Sequence, residues 1–134
     1  MTHARGRYEE MYINMNPNPA KKLVGDCVVR GISIVKDQSW LQTYTDICRK
    51  GREMYDMPSS NSVWNAYMIE SGFVKSVIPN TCPECYTIID FCNDHRLGEY
   101  LVATGTHVVA VINGDYYDTW DSGDEVPIYY YERR

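Results

Sequence analysis

Cys27, His107 and Asp118 are the residues whose types and placement can do chemistry together. Cys27 opens the run CVVRGISIV directly after Asp26, a residue suited to capping a helix that starts there. A Cys in the first turn of a helix meets unpaired N–H groups and the positive end of the helix dipole. Such a setting lowers a thiol pKa from about 8.5 to as little as ~3.5–7.5, most of all beside an imidazolium. The same N–H groups face the position where an oxyanion would form. The plain alternative for Cys27 is a small buried hydrophobe. Gly25-Asp26 argues against it, because a tight turn and a cap present the side chain rather than bury it.

A thiolate nucleophile needs a base, and the chain has three His. His3 lies in a loose N-terminal stretch, and His95 lies between Asp94 and Arg96 in a solvated setting. His107 leads into the apolar run VVAVI, straight after Gly105-Thr106. A polar ring at the mouth of a buried strand is costly unless it is hydrogen-bonded. A satisfied core-edge His is the competing explanation.

The hairpin after His107 offers a discriminating test. Asn113-Gly114 is the strongest short hairpin signal. With a two-residue loop, Ile112 pairs with Asp115, Val109 with Asp118, and His107 with Trp120. Paired residues share a sheet face and side chains alternate along each strand. His107, Val109, Asp118 and Trp120 therefore share a face. Asp118 becomes the diagonal neighbour of His107, with Trp120 shielding the pair. A three-residue loop would bring Asp121 opposite His107 instead. The turn residues favour Asp118, which completes a nucleophile, base and orienting group.

These residues need elements to hold them. Residues 1–20, with Asn16-Pro17-Asn18-Pro19, disfavour helix and predict an extended arm. The domain proper is expected over 21–134. A helix follows Asp26, weakened by Gly31 or placed against another backbone there. A second helix follows Ser39, with Trp40, Leu41, Tyr44, Ile47, Cys48 and Met54 mainly on one face. Asn61 or Ser62 opens a third, closed by Gly72. FVKSVIP predicts a strand, and Thr87 with Asp90 a capping box for a short fourth helix. Strands are then expected over Glu99–Thr104, His107–Ile112, Asp115–Asp121 and Glu125–Tyr131. Helices followed by an antiparallel sheet make an α+β layout.

Composition bounds the function classes. The 134 residues fit one domain, with 44% apolar and 23% charged residues. A net charge of −5 argues against a nucleic-acid partner. The longest apolar runs are far shorter than the about 20 residues that a spanning helix needs, so no membrane partner is expected. The N-terminal MTHARGRYEEMY has no apolar core, so no secretory signal is expected. Twelve Tyr against two Phe point to a thin core finished with hydroxyl-bearing rings, or to a wet cleft wall.

Cys at a helix start, His at a strand start and Asp on the partner strand, in that order, resembles the papain-like cysteine peptidase superfamily from about Gly25 to Asp121. Gly25-Asp26-Cys27-Val28-Val29-Arg30-Gly31-Ile32-Ser33 is similar to the nucleophile helix of OTU-type deubiquitinases. The hairpin looks more like compact bacterial and phage members, including C39 bacteriocin-leader peptidases and transglutaminase-like proteins. The resemblance implies a papain-like α+β fold, with N-terminal helices packed on a C-terminal antiparallel sheet. It implies a cysteine hydrolase, a peptidase or isopeptidase that acts on a peptide or protein substrate. Cys27 would be the nucleophile, His107 the general base and acid, and Asp118 the orienting residue. By this resemblance the acyl part of the substrate would pass through a thioester acyl-enzyme before water releases it. An inactive binding module and a transglutaminase-like acyl transferase are the alternatives on the same fold. Papain-like enzymes often place a Gln before the Cys as an oxyanion donor. Here Asn14, Asn16 and Asn18 are the only amide side chains upstream.

Five Cys, an odd number, argue against a disulfide scaffold and point to a reducing, cytoplasmic setting. Cys48 reads as core. Cys82-Pro83-Glu84-Cys85 with Cys92 and His95 has the residue types of a tetrahedral zinc site, but the linker between the pairs is very short. A knuckle-like turn with Cys92 in the core is the simpler expectation, so no cofactor is expected. Zinc at Cys82, Cys85, Cys92 and His95, supporting a small interaction domain, comes second, and a redox CxxC third.

Overall fold

A computed structural model describes residues 11–133. The order of elements is β1 (Tyr12–Asn14), α1 (Cys27–Lys36), α2 (Trp40–Glu53), α3 (Asn61–Glu70), β2 (Phe73–Val77), α4 (Ile88–Asp94), β3 (Glu99–Ala103), β4 (Val108–Ile112), β5 (Asp115–Asp118) and β6 (Tyr129–Arg133). The fold is α+β, built on a six-stranded sheet of order β1-β5-β4-β3-β6-β2.

The sheet is mixed, which corrects the antiparallel expectation. β1 runs parallel to β5, pairing Tyr12 with Tyr116 and Asn14 with Asp118. Part of the expected arm is therefore an edge strand of the sheet, while residues 1–10, His3 among them, lie outside the described residues. Asn18 is buried, and its Oδ1 accepts from the Ala20 N–H at 2.9 Å, which turns the chain after the strand.

Alternation along the strands gives the sheet two apolar faces. Leu101, Ala103, Val108, Ala110 and Tyr131 pack with Ile32, Val35, Ile47, Val63, Trp64 and Tyr67 of α1–α3. Tyr100, Val102, Val109, Val111 and Tyr116 pack with Ile88, Phe91 and Cys92 of α4 and with Met11. The helices thus lie on both faces rather than on one. Gly31 lets α1 lie against the sheet, because a Cβ there would stand 2.8 Å from Leu101 Cδ1.

α2 departs from the expected face. Its buried residues are Thr43, Ile47 and Gly51, spaced four apart. Leu41 and Tyr44 are exposed, and Cys48 is half-buried rather than core. The core-facing stripe is thus rotated from the one that apolarity alone picks out, because Gly51 must pack close to Asp56 and Pro58. Among the described residues no helix is long and apolar enough to cross a membrane.

Candidate active site

The Asn113-Gly114 turn has φ of 51° and 84°, the left-handed pair that a two-residue hairpin loop requires. Ile112 pairs with Asp115, Val111 with Tyr116 and Ala110 with Tyr117. That register carries Asp118 to His107, whose Nε2 lies 2.6 Å from Asp118 Oδ2. Trp120 stands over the imidazole at 5.0 Å between ring centroids.

Asp118 is almost fully buried and fully engaged. Besides His107, its Oδ2 accepts from Ser122 Oγ at 2.7 Å. Its Oδ1 accepts from the Thr119 N–H at 2.8 Å and from Arg30 Nη2 at 3.3 Å. Burial alone would raise its pKa, but the hydrogen bonds from His107 and Ser122 and the His107 charge hold it below the usual carboxylate range.

With Nε2 held by Asp118, the other ring nitrogen of His107 is left for Cys27. The thiol hydrogen-bonds with His107 and takes a second hydrogen bond from the Val108 N–H. Burial pushes the Cys27 pKa up. These two bonds, with the His107 and Arg30 charges, outweigh burial and bring it down. Burial likewise pulls His107 down, and the bonds to Asp118 and Cys27 override it and push its pKa up to about 9. The two shifts belong to one coupled pair, and both favour thiolate beside imidazolium.

Asp26 occupies the N-cap position, but its side chain makes no cap hydrogen bond, which corrects its expected role. Its carboxylate instead pairs with Arg30 one turn along and accepts from Trp40 Nε1 at 2.9 Å. The Asp26 side chain therefore does not occupy the first-turn N–H groups of α1, where Cys27 stands. Arg30 is the residue that the sequence reading did not place in the site. It is buried and joins Asp26 to Asp118, linking the helix that carries Cys27 to the strand that carries Asp118.

Cys27 and His107 line one cavity of about 90 Å³ with Val28, Asn61, Trp64, the 104–106 loop and Tyr129. None of the upstream amides Asn14, Asn16 and Asn18 lines this cavity. Asn16 Nδ2 donates to Lys22 O at 3.0 Å, Asn18 turns the chain, and Asn14 bonds Tyr12.

The four residues considered for zinc are not arranged as a ligand set. Cys82 and Cys85 form a disulfide, so the expectation of reduced thiols does not hold for this pair. Cys92 is fully buried, and burial pushes its pKa up to about 12. His95 stacks on Phe91 at 3.8 Å and spends Nδ1 on Phe91 O. Among the described residues no group of three or more His, Cys, Asp or Glu is arranged to hold a metal ion.

No family model, curated protein or solved structure matches this chain.

Proposed function

We propose that this chain is a cysteine hydrolase with a papain-like catalytic triad, acting on a peptide or isopeptide bond in an extended substrate. The observation that carries the proposal is the continuous hydrogen-bonded chain Asp118–His107–Cys27, with the thiol pKa lowered and the imidazole pKa raised.

The thiolate of Cys27 attacks the carbonyl carbon, and the carbonyl electrons move onto oxygen. The first-turn N–H groups of α1 stabilise that oxyanion. The C–N bond then breaks as imidazolium gives its proton to the leaving amine, and a thioester on Cys27 remains. Neutral His107 takes a proton from water, the water oxygen attacks the thioester, and the C–S bond breaks. Thiolate and imidazolium are thereby restored. Asp118 holds the ring tautomer and balances the imidazolium charge.

The test is incubation of the wild-type protein and Cys27→Ala with a mixed fluorogenic peptide library, with mass spectrometry of Cys27. Turnover and a thioester mass on Cys27, both lost in Cys27→Ala, are expected. Equal turnover by the two proteins would end the proposal.

The pH dependence follows from the two shifts. Amide cleavage needs both thiolate and imidazolium. It is expected to rise as the lowered Cys27 thiol ionises and to fall above about pH 9, where His107 gives up its proton. Alkylation of Cys27 by iodoacetamide needs thiolate alone, so it should stay high through that alkaline limb. Parallel pH profiles of the two reactions check this. An amide rate that holds level up to pH 10 would remove His107 as the acid.

A further inference from the structure

Asn61 is the first residue of α3, exposed, with its side chain in the wall of the cavity that holds Cys27 and His107. Trp64 donates its indole N–H to Asn61 Oδ1 at 2.9 Å. An indole nitrogen only donates, so this bond settles which end of the amide is oxygen. The donor is itself held in place. Trp64 is buried, stacked on Tyr129 at 6.4 Å and edge-on to Tyr131 at 5.7 Å. The Asn61 Nδ2 group, with its two N–H donors, has no acceptor among the described residues. It is an oriented, uncommitted amide donor in the wall of the cavity that Cys27 lines, on a helix that follows Cys27 rather than in a segment before it.

We propose that Asn61 is the side-chain donor of the acyl-transfer site, giving an N–H to the substrate carbonyl oxygen as it becomes an oxyanion. The inference rests on the cysteine-hydrolase reading and adds a residue to it. Asn14, Asn16 and Asn18, the amides that precede Cys27, do not line that cavity, whereas Asn61 does.

Two reagents separate this role from thiol reactivity. Iodoacetamide alkylates the thiolate by displacing iodide, and no oxyanion forms. 4-Nitrophenyl acetate is attacked at its carbonyl through an oxyanion, 4-nitrophenolate leaves, and Cys27 becomes S-acetylated. Both rates are measured at Cys27 on the full chain for wild type, Asn61→Ala and Asn61→Leu, the last close to Asn in shape. Acetylation is expected to fall about 100- to 1,000-fold in both variants, as when one oxyanion donor is removed. The iodoacetamide rate and its pH profile should stay within about two-fold of wild type. Acetylation at the wild-type rate would overturn the proposal and leave the thiolate reading standing. An equal fall in both reactions would also overturn it, because Asn61 would then only support the fold. A wild-type Cys27 that reacts with neither reagent faster than Cys48 would overturn the hydrolase reading itself, and Asn61 with it.

Discussion

His107→Ala is expected to slow amide cleavage by about 10²–10⁴-fold, the usual cost of losing a positioned proton-transfer group. It should also move the iodoacetamide labelling midpoint of Cys27 upward, into or above the ordinary thiol range near pH 8.5. The direction is set by the balance at the thiol. Burial works against the thiolate, and the His107 hydrogen bond is the largest influence opposing it. With the ring gone, the Val108 N–H, the Arg30 charge and the first turn of α1 are what still favour the anion. Asp118→Asn should act more gently and in a different place. An amide oxygen can still accept from His107 Nε2, but the charge that raises the imidazole pKa is lost. The alkaline limb of amide cleavage should therefore move below pH 9 while Cys27 keeps most of its reactivity. Peptide mass spectrometry of labelled Cys27 across pH reads both variants. A labelling midpoint that does not move in His107→Ala would mean that the imidazole does not set the state of the thiol.

The His107–Asp118 contact was legible in the sequence because two local rules fix it. Asn113-Gly114 selects a two-residue loop, and the period of two in a strand then decides which side chains share a face. No fold knowledge is needed to carry that register from Ile112–Asp115 out to His107. α1 was legible from Asp26 and the apolar run after it, but the part that Asp26 plays was not. Sequence sees an Asp before a helix and predicts a cap. In the folded chain a guanidinium one turn on and an indole from α2 take the carboxylate, because buried charge is better satisfied by a charged partner than by a backbone N–H. Arg30 itself reads as a polar position in an apolar helix, and its partner Asp118 lies 88 residues away, beyond any local pattern. β1 was missed for a related reason. Three residues before a proline-rich turn carry too little periodicity to mark a strand, and its pairing is with the far end of the chain. Cys82 and Cys85 show a different limit, since a spacing of three suits a metal pair and a disulfide equally well. Asn61 had no signal beyond its place at a helix start, because the value of its amide comes from the Trp64 bond and from the neighbouring cavity.

Arg30→Met should produce the largest loss of stability, about 3–5 kcal/mol, the range for removing one partner from a buried ion pair. Arg30, Asp26 and Asp118 are 6%, 7% and 3% exposed. Met roughly matches the arginine stem and leaves little cavity, so the loss measures the stranded charge. Asp118 keeps Ser122, Thr119 and His107, whereas Asp26 keeps only Trp40 among its described partners. Most of the penalty therefore falls on Asp26. Arg30→Met combined with Asp26→Asn should accordingly recover part of the loss, and the double-mutant cycle gives their coupling. The sign of the pH dependence follows from the carboxylates. Asp118 has a lowered folded-state pKa, so its contribution to stability is present above the unfolded value near 4 and is lost as pH falls through the folded one. The deficit of Arg30→Met relative to wild type should be largest near neutral pH and shrink as acid protonates Asp118 and removes the charge that Arg30 pairs with. Urea unfolding at pH 7 and pH 4 measures this. A loss below about 1 kcal/mol at pH 7, or one that grows in acid, would show that Arg30 does not hold the two carboxylates together. The same variant should raise the Cys27 labelling midpoint, because the Arg30 charge is one of the influences that favour the thiolate. A stability loss that comes with that shift ties the buried ion triad to the state of the Cys27 thiol as well as to the fold. It makes α1 the element through which substitutions at Asp26 reach the chemistry at Cys27.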